Sequence, residues 1–134
     1  GLYVHPNWQG SFKRGDRVIE YTGELLSQKQ FQLRYPGGDD VLAEYAFELV
    51  DPNNVEHTVV YLDARKTNSS VGRYANDCTH RDQKQRHCRG NNLRAEEVWE
   101  MRNNVSHPRL YLVATRTILP GEELYLSYGE KYWE

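Results

Sequence analysis

Two polar stretches far apart in the chain carry residue types that could form the halves of one active site. They are Gly72-Arg73-Tyr74-Ala75-Asn76-Asp77-Cys78 in the middle and Pro120-Gly121-Glu122-Glu123-Leu124-Tyr125-Leu126-Ser127-Tyr128-Gly129 near the end. A tyrosine hydroxyl can orient an amine, and aromatic rings can wall a channel that favours a cation. The chain has ten tyrosines, enough to make such an arrangement feasible, with core packing as the competing reading for any one of them. The Asn76 amide offers both a donor and an acceptor, although an Asn before an Asp is otherwise an ordinary turn. Cys78-Thr79-His80 and His87-Cys88 supply the residue types that hold zinc, but their spacing is not a common finger pattern, and no metal is expected.

Composition narrows the classes. A chain of 134 residues without a linker-like run reads as one small domain with a modest core. Its opening Gly1 rather than Met points to a domain excised from a longer protein. Seventeen Lys and Arg against nineteen Asp and Glu do not describe a protein that coats nucleic acid by bulk charge. No stretch approaches the roughly 20 apolar residues of a membrane span, and no signal peptide is visible. Two cysteines, Cys78 and Cys88, are too few for the disulfide framework of a small secreted fold, which favours a reducing, intracellular compartment.

The elements that must position these residues are mostly strands, short and apolar and separated by turn residues. Strands are expected at 2–4, 18–21, 45–50, 59–62, 93–101, 110–115 and 124–126. Turns fall at Gly15-Asp16, Pro52-Asn53-Asn54 and Pro120-Gly121. A short helix is expected over Ser27 to Arg34, capped by Ser27 and stopped by Pro36-Gly37-Gly38. A single turn is expected within Ser69 to Ala75. Residues 79–92 are dense in Arg, Lys, Gln, His and Asn and read as an exposed loop. Within and beside it, Arg81, Lys84, Arg86, Arg89 and Arg94 form a basic run.

In order and rough spacing these pieces resemble the SET-domain protein lysine methyltransferases. The resemblance rests on Gly1-Leu2-Tyr3-Val4, Glu20-Tyr21-Thr22-Gly23-Glu24, Tyr45-Ala46-Phe47, Leu62-Asp63-Ala64, Arg73 to Cys78, and Gly121 to Gly129. It covers nearly the whole chain; each motif is weak alone, and six in order are specific. It implies a mainly β fold of small curled sheets, with the C-terminal segment threaded beneath a preceding loop as a pseudoknot. It also implies S-adenosyl-L-methionine as cofactor and a lysine side chain as methyl acceptor, most often on a histone tail, in the nucleus.

Carried over residue by residue, the resemblance makes Tyr128 the catalytic tyrosine and Tyr45 the second candidate, facing the lysine channel with Leu126. Asn76 would hold the amino-acid end of the cofactor and Asp77 would address its adenine through backbone. Gly1, Leu2 and Tyr3 would form the cofactor turn, and Trp133, beside Tyr132, an aromatic tail over the adenine. Arg73 and Tyr74 share the cofactor segment and are expected to give structural support more than chemistry. The sequence departs from the pattern where Asp77 replaces a His, where Asn76-Asp77-Cys78 is shorter than the usual Asn-His-Ser-Cys, and where a first cofactor glycine would precede Gly1. Asn91-Asn92 stands for the asparagine that follows the cysteine loop. The basic run through Arg94 would touch nucleosomal phosphate, against the plainer reading of a solvated insertion. The rival functions are a SET-like peptide-binding module without catalysis and a methyltransferase acting on other lysine-containing proteins.

Overall fold

The computed structural model describes residues 1–37, 45–54, 56, 58–66, 71–75 and 90–126. These fall into two compact units interleaved along the sequence. One is drawn from Gly1–Glu20, Tyr74–Glu96 and Tyr111–Glu134, the other from Tyr21–Arg73 and Glu97–Leu110. Among the described residues the architecture is small antiparallel sheets with one short α-helix. In chain order the elements are β1 (Leu2–Tyr3), β2 (Arg17–Tyr21), β3 (Glu24–Ser27), α1 (Gln28–Arg34), β4 (Ala46–Val50), β5 (Val59–Asp63), a 3₁₀ turn (Val71–Tyr74), β6 (Leu93–Arg102), β7 (Val105–Ala114) and β8 (Glu123–Leu124). Among the described residues, no helix is long and apolar enough to cross a membrane.

In the first unit β1 pairs with β8, placing Leu2 opposite Leu124 and Tyr3 opposite Glu123. Val4, Leu93, Leu112, Val113, Ile118 and Leu124 are buried there. β7 lies between β2 and β6, and its run Leu110-Tyr111-Leu112-Val113-Ala114 is apolar without alternation, as a strand covered on both faces should be. β6 and β7 are joined by Asn103-Asn104 at φ 51° and 62°, the two left-handed residues of a tight hairpin, a conformation asparagine tolerates. The strand expected at 110–115 therefore begins earlier, at Val105. Its polar Ser106-His107-Pro108-Arg109 gives no alternation, and the turn sets its pairing.

In the second unit β5 is the centre of the order β3-β5-β4, with Leu26 opposite Tyr61 and Glu48 opposite the same Tyr61. The helix starts where expected. The Ser27 side chain accepts from the Gln30 amide at 3.1 Å and the Gln30 side chain accepts from the Ser27 amide at 2.8 Å, a capping box worth about 1 kcal/mol. It ends at Tyr35 before Pro36 and Gly37. From α1, Phe31 stacks on Tyr61 at 3.9 Å between centroids, and Tyr35, 1% exposed, donates to Asp63 Oδ2 at 2.6 Å. Arg34 donates to the same oxygen and to both oxygens of Glu24, holding the Glu24 carboxyl below its usual range.

Two predictions arise from this sheet. A Cβ on Gly23 would sit against the Asp63 carbonyl oxygen and 2.7 Å from its carbon, neither of which can yield without breaking the β3–β5 pairing. Gly23→Ala should therefore cost about 2–4 kcal/mol in urea unfolding; a loss under about 0.5 kcal/mol would show that the two backbones separate freely. Burial and then Asp63 push the Tyr35 phenol up to about 12. Below pH 10 it is neutral folded and unfolded and its contribution is complete. Between pH 10 and about 12 only the unfolded chain ionises it, so stability drains away across that window. Tyr35→Phe should be less stable at pH 8 by about 1–2 kcal/mol and lose less between pH 10 and about 12; parallel urea midpoints for both proteins would refute the assignment.

Candidate functional site

Tyr45 is held in the second unit by its backbone and by its ring. Its carbonyl accepts from the Tyr21 hydroxyl at 2.9 Å and from the Ala64 amide at 3.1 Å. Tyr21, 1% exposed, also packs edge-on against Phe47 at 4.8 Å. The Arg73 guanidinium lies 4.1 Å above the centroid of the Tyr45 ring. Its Nε donates to the Ala64 carbonyl at 2.8 Å and its Nη2 to the Arg65 carbonyl at 3.1 Å. Arg73 is buried on the 3₁₀ turn, whereas Tyr74 beside it is exposed. The structure thus joins Tyr45 and Arg73, two residues that the sequence assigned to different roles.

In the first unit the expected cofactor turn lies at β1. Gly1 and Tyr3 are exposed and Leu2 is half-buried. Tyr3 and Tyr125 both face the Glu123 carboxylate. Hydrogen bonding to Glu123 raises the Tyr3 phenol above its ordinary range. Burial, then the 2.9 Å hydrogen bond to Glu123, pushes Tyr125 up to about 12. A cavity of about 580 Å³ opens beside β1, with Tyr3, Trp8 and Phe12 as aromatic walls and Leu2, Val18 and Leu124 among its apolar ones. Trp8 and Phe12 lie 4.7 Å apart between centroids.

The segment that leads toward Tyr128 is anchored by Asn92. Its Nδ2 donates to the Glu123 carbonyl at 2.8 Å and its Oδ1 accepts from the Tyr125 amide at 2.7 Å. The Asn92 and Leu93 amides both donate to the Tyr125 carbonyl at 3.0 Å, and Leu126 bridges Leu93 in parallel. Asn92 is 1% exposed and Leu126 fully buried. One amide side chain so satisfies backbone on both sides of residue 124.

Asn76, Asp77, Tyr128 and Trp133 lie outside the described residues, as do Cys78, His80, His87 and Cys88. Of the basic run, Arg94 alone is among the described residues; it is half exposed and lies 3.9 Å from Glu96. Sequence reasoning gave no role to Tyr21, although it stands within the Glu20-to-Glu24 motif, nor to Glu123 between its two tyrosines. The signal for Tyr21 was a buried-type aromatic at the last position of an alternating strand; for Glu123 there was none, because Tyr3 reaches it only through β1–β8 pairing.

A family profile described as SET domain matches residues 9–129. The proteins named histone-lysine N-methyltransferase EHMT1 from Mus musculus and Homo sapiens are each 31% identical over 120 residues, or 90% of this chain. The chain spans 8% of the length of these relatives. Among solved structures, CpSET8 from Cryptosporidium aligns with TM-score 0.55 and 22% identity, over 96% of this chain and 57% of that one. ATXR5, solved in complex with mono-methylated histone H3.1, aligns with TM-score 0.54 and 21% identity, over 90% and 49%. The small antiparallel sheets share their architecture with these two structures, and the profile takes in all but the first eight and last five residues, so the chain belongs to the SET-domain protein lysine methyltransferase family.

Proposed function

We propose that this domain is an S-adenosyl-L-methionine-dependent protein-lysine N-methyltransferase that acts on a histone tail in the nucleus. The observation that carries the reading is the 31% identity, across nine-tenths of the chain, to proteins named histone-lysine N-methyltransferases. The residues around β1 fit the cofactor's chemistry. Their cavity of about 580 Å³ falls within the range of small-molecule sites and offers aromatic walls to a cationic, adenine-bearing ligand. Gly1 to Tyr3, Asn76, Asp77 and Trp133 are assigned to holding the cofactor, with Arg73 and Tyr74 supporting their segment.

The cofactor supplies an electrophilic methyl group; everything else the reaction needs is positional. A free lysine has a pKa near ~10.4, so its ammonium must shed a proton before nitrogen can attack. Tyr128 is assigned to orienting that amine through its hydroxyl, and Tyr45 and Leu126 to walling the channel that excludes water. A substrate segment lying extended along a sheet edge would deliver its lysine to that channel.

The test is a calorimetric titration with S-adenosyl-L-methionine, followed by transfer of radiolabelled methyl to mixed core histones. Saturable binding and label on one histone are expected. Binding without label on any histone would redirect the proposal to another lysine-containing protein. Absence of binding would sink the enzyme reading and leave a peptide-binding module.

A further inference from the structure

We propose that Trp8 is a specificity-determining residue of the cofactor site, an indole platform on which the adenine of S-adenosyl-L-methionine stacks, held in place by Gly10 and Phe12. This rests on the assignment of the cavity beside β1 to the cofactor, and it adds a residue that none of the six sequence motifs contains. Trp8 lines that cavity, and 41% of its surface stays exposed. The loop that carries it is short and closed at both ends. Pro6 and Asn7 turn the chain, the Trp8 amide donates to the His5 carbonyl at 3.1 Å, and the Asn7 amide donates to His5 Nδ1 at 3.1 Å. Beyond it, Phe12 is tied to the fully buried Ile118 by two backbone hydrogen bonds, donating at 3.0 Å and accepting at 2.9 Å.

Gly10 is what lets the indole lie where it does. A Cβ there would fall 2.6 Å from Cζ2 and 2.9 Å from Cε2 of Trp8, so any other residue at position 10 would push the ring away. The Phe12 ring meets the indole at 4.7 Å between centroids and a tilt of 39°, within the range of favourable aromatic pairs. The indole therefore reaches the cavity already placed, and a ligand that stacks on it meets little ordering cost. Tyr3, another aromatic wall, is committed through its hydroxyl to Glu123. Much of the remaining lining, Leu2, Val4, Val18, Ile19 and Leu124, is apolar, which suits a flat heterocycle better than the charged methionine end of the cofactor. Stacking of a base on an aromatic side chain is strong enough to change affinity about tenfold or more.

The experiment is calorimetric titration of the whole chain with S-adenosyl-L-methionine. Trp8→Leu keeps an apolar side chain and removes the π-face; it should weaken binding at least about tenfold. Trp8→Phe keeps a smaller π-face and should stay within about threefold of wild type. Gly10→Ala leaves every ring in the chain and displaces the indole, which is exposed enough to yield. It should weaken binding about fivefold with a urea midpoint near that of wild type. In a Trp8→Leu background the same change should add less than about twofold, because no indole is left to displace. Wild-type affinity in Trp8→Leu or in Gly10→Ala, or a Trp8→Phe as weak as Trp8→Leu, would overturn the inference and leave the methyltransferase reading standing. If urea unfolding shows that Trp8→Leu does not fold, Gly10→Ala decides alone. A wild type that binds no cofactor would overturn both.

Discussion

Tyr128→Phe should lose about 10²- to 10⁴-fold in methyl transfer to core histones while its affinity for S-adenosyl-L-methionine stays within about threefold of wild type. The substitution removes one oxygen and little volume, so a folding defect is not the expected cause of a loss. A tyrosine that merely packs on a last strand would lose one hydrogen bond, about 1 kcal/mol of stability, and leave kcat near its wild-type value. Single-turnover transfer of radiolabel, with cofactor affinity from calorimetry, separates the cases. Label that survives at wild-type rate would move the catalytic role to another tyrosine, with Tyr45 next in line.

Asn92→Asp should be the most damaging conservative change in the described structure, costing about 3–5 kcal/mol at neutral pH. The wild-type amide is used at both ends: Nδ2 donates to the Glu123 carbonyl at 2.8 Å and Oδ1 accepts the Tyr125 N–H at 2.7 Å, at a residue 1% exposed. A carboxylate would keep the second bond and set an anionic oxygen against the Glu123 carbonyl with no proton between them. The sign of the pH dependence follows. The new carboxyl would be neutral in the fold well above its unfolded pKa of ~3.9, so the deficit is small at that pH and grows as pH rises. Asn92→Ala should lose about 2–3 kcal/mol without that slope. Urea midpoints between about pH 4 and pH 8 check both variants. An Asn92→Asp deficit below about 1 kcal/mol at pH 8 would mean that residues 92–93 and 123–126 are held by backbone bonds alone.

Much of the fold was legible because its signals are local. Ser27 with Gln30 and the following Pro36-Gly37 mark both ends of α1, and the structure shows both sides of the capping box. Gly15 and Gly121, at turns read from the sequence, have φ of 92° and 85°. β3 was not legible: four residues with two leucines show no period, and their partner, β5, begins 32 residues after β3 ends. The start of β7 was hidden by its polar composition and follows from Asn103-Asn104, which carry no glycine to announce a hairpin. In the site, Asn92 could be noticed beside Asn91, but which of the two turns inward depends on the pairing of 92–93 with 125–126.

By itself the sequence determined the mainly β architecture and the family, through six short motifs in a specific order, and it nominated Tyr45, Tyr128 and Asn76 only through their match to that family's motifs. Only the tertiary structure decided that Arg73 stacks on Tyr45, that Asp63 collects Arg34 and Tyr35, and that Asn92 joins residues 92–93 to 123–126. The reason is physical. A motif or cap is encoded within a few residues by backbone preference and hydrogen-bonding type, whereas these contacts join residues 28 to 33 apart. They exist only when strand register and side-chain rotamer bring donor and acceptor to within about 3 Å.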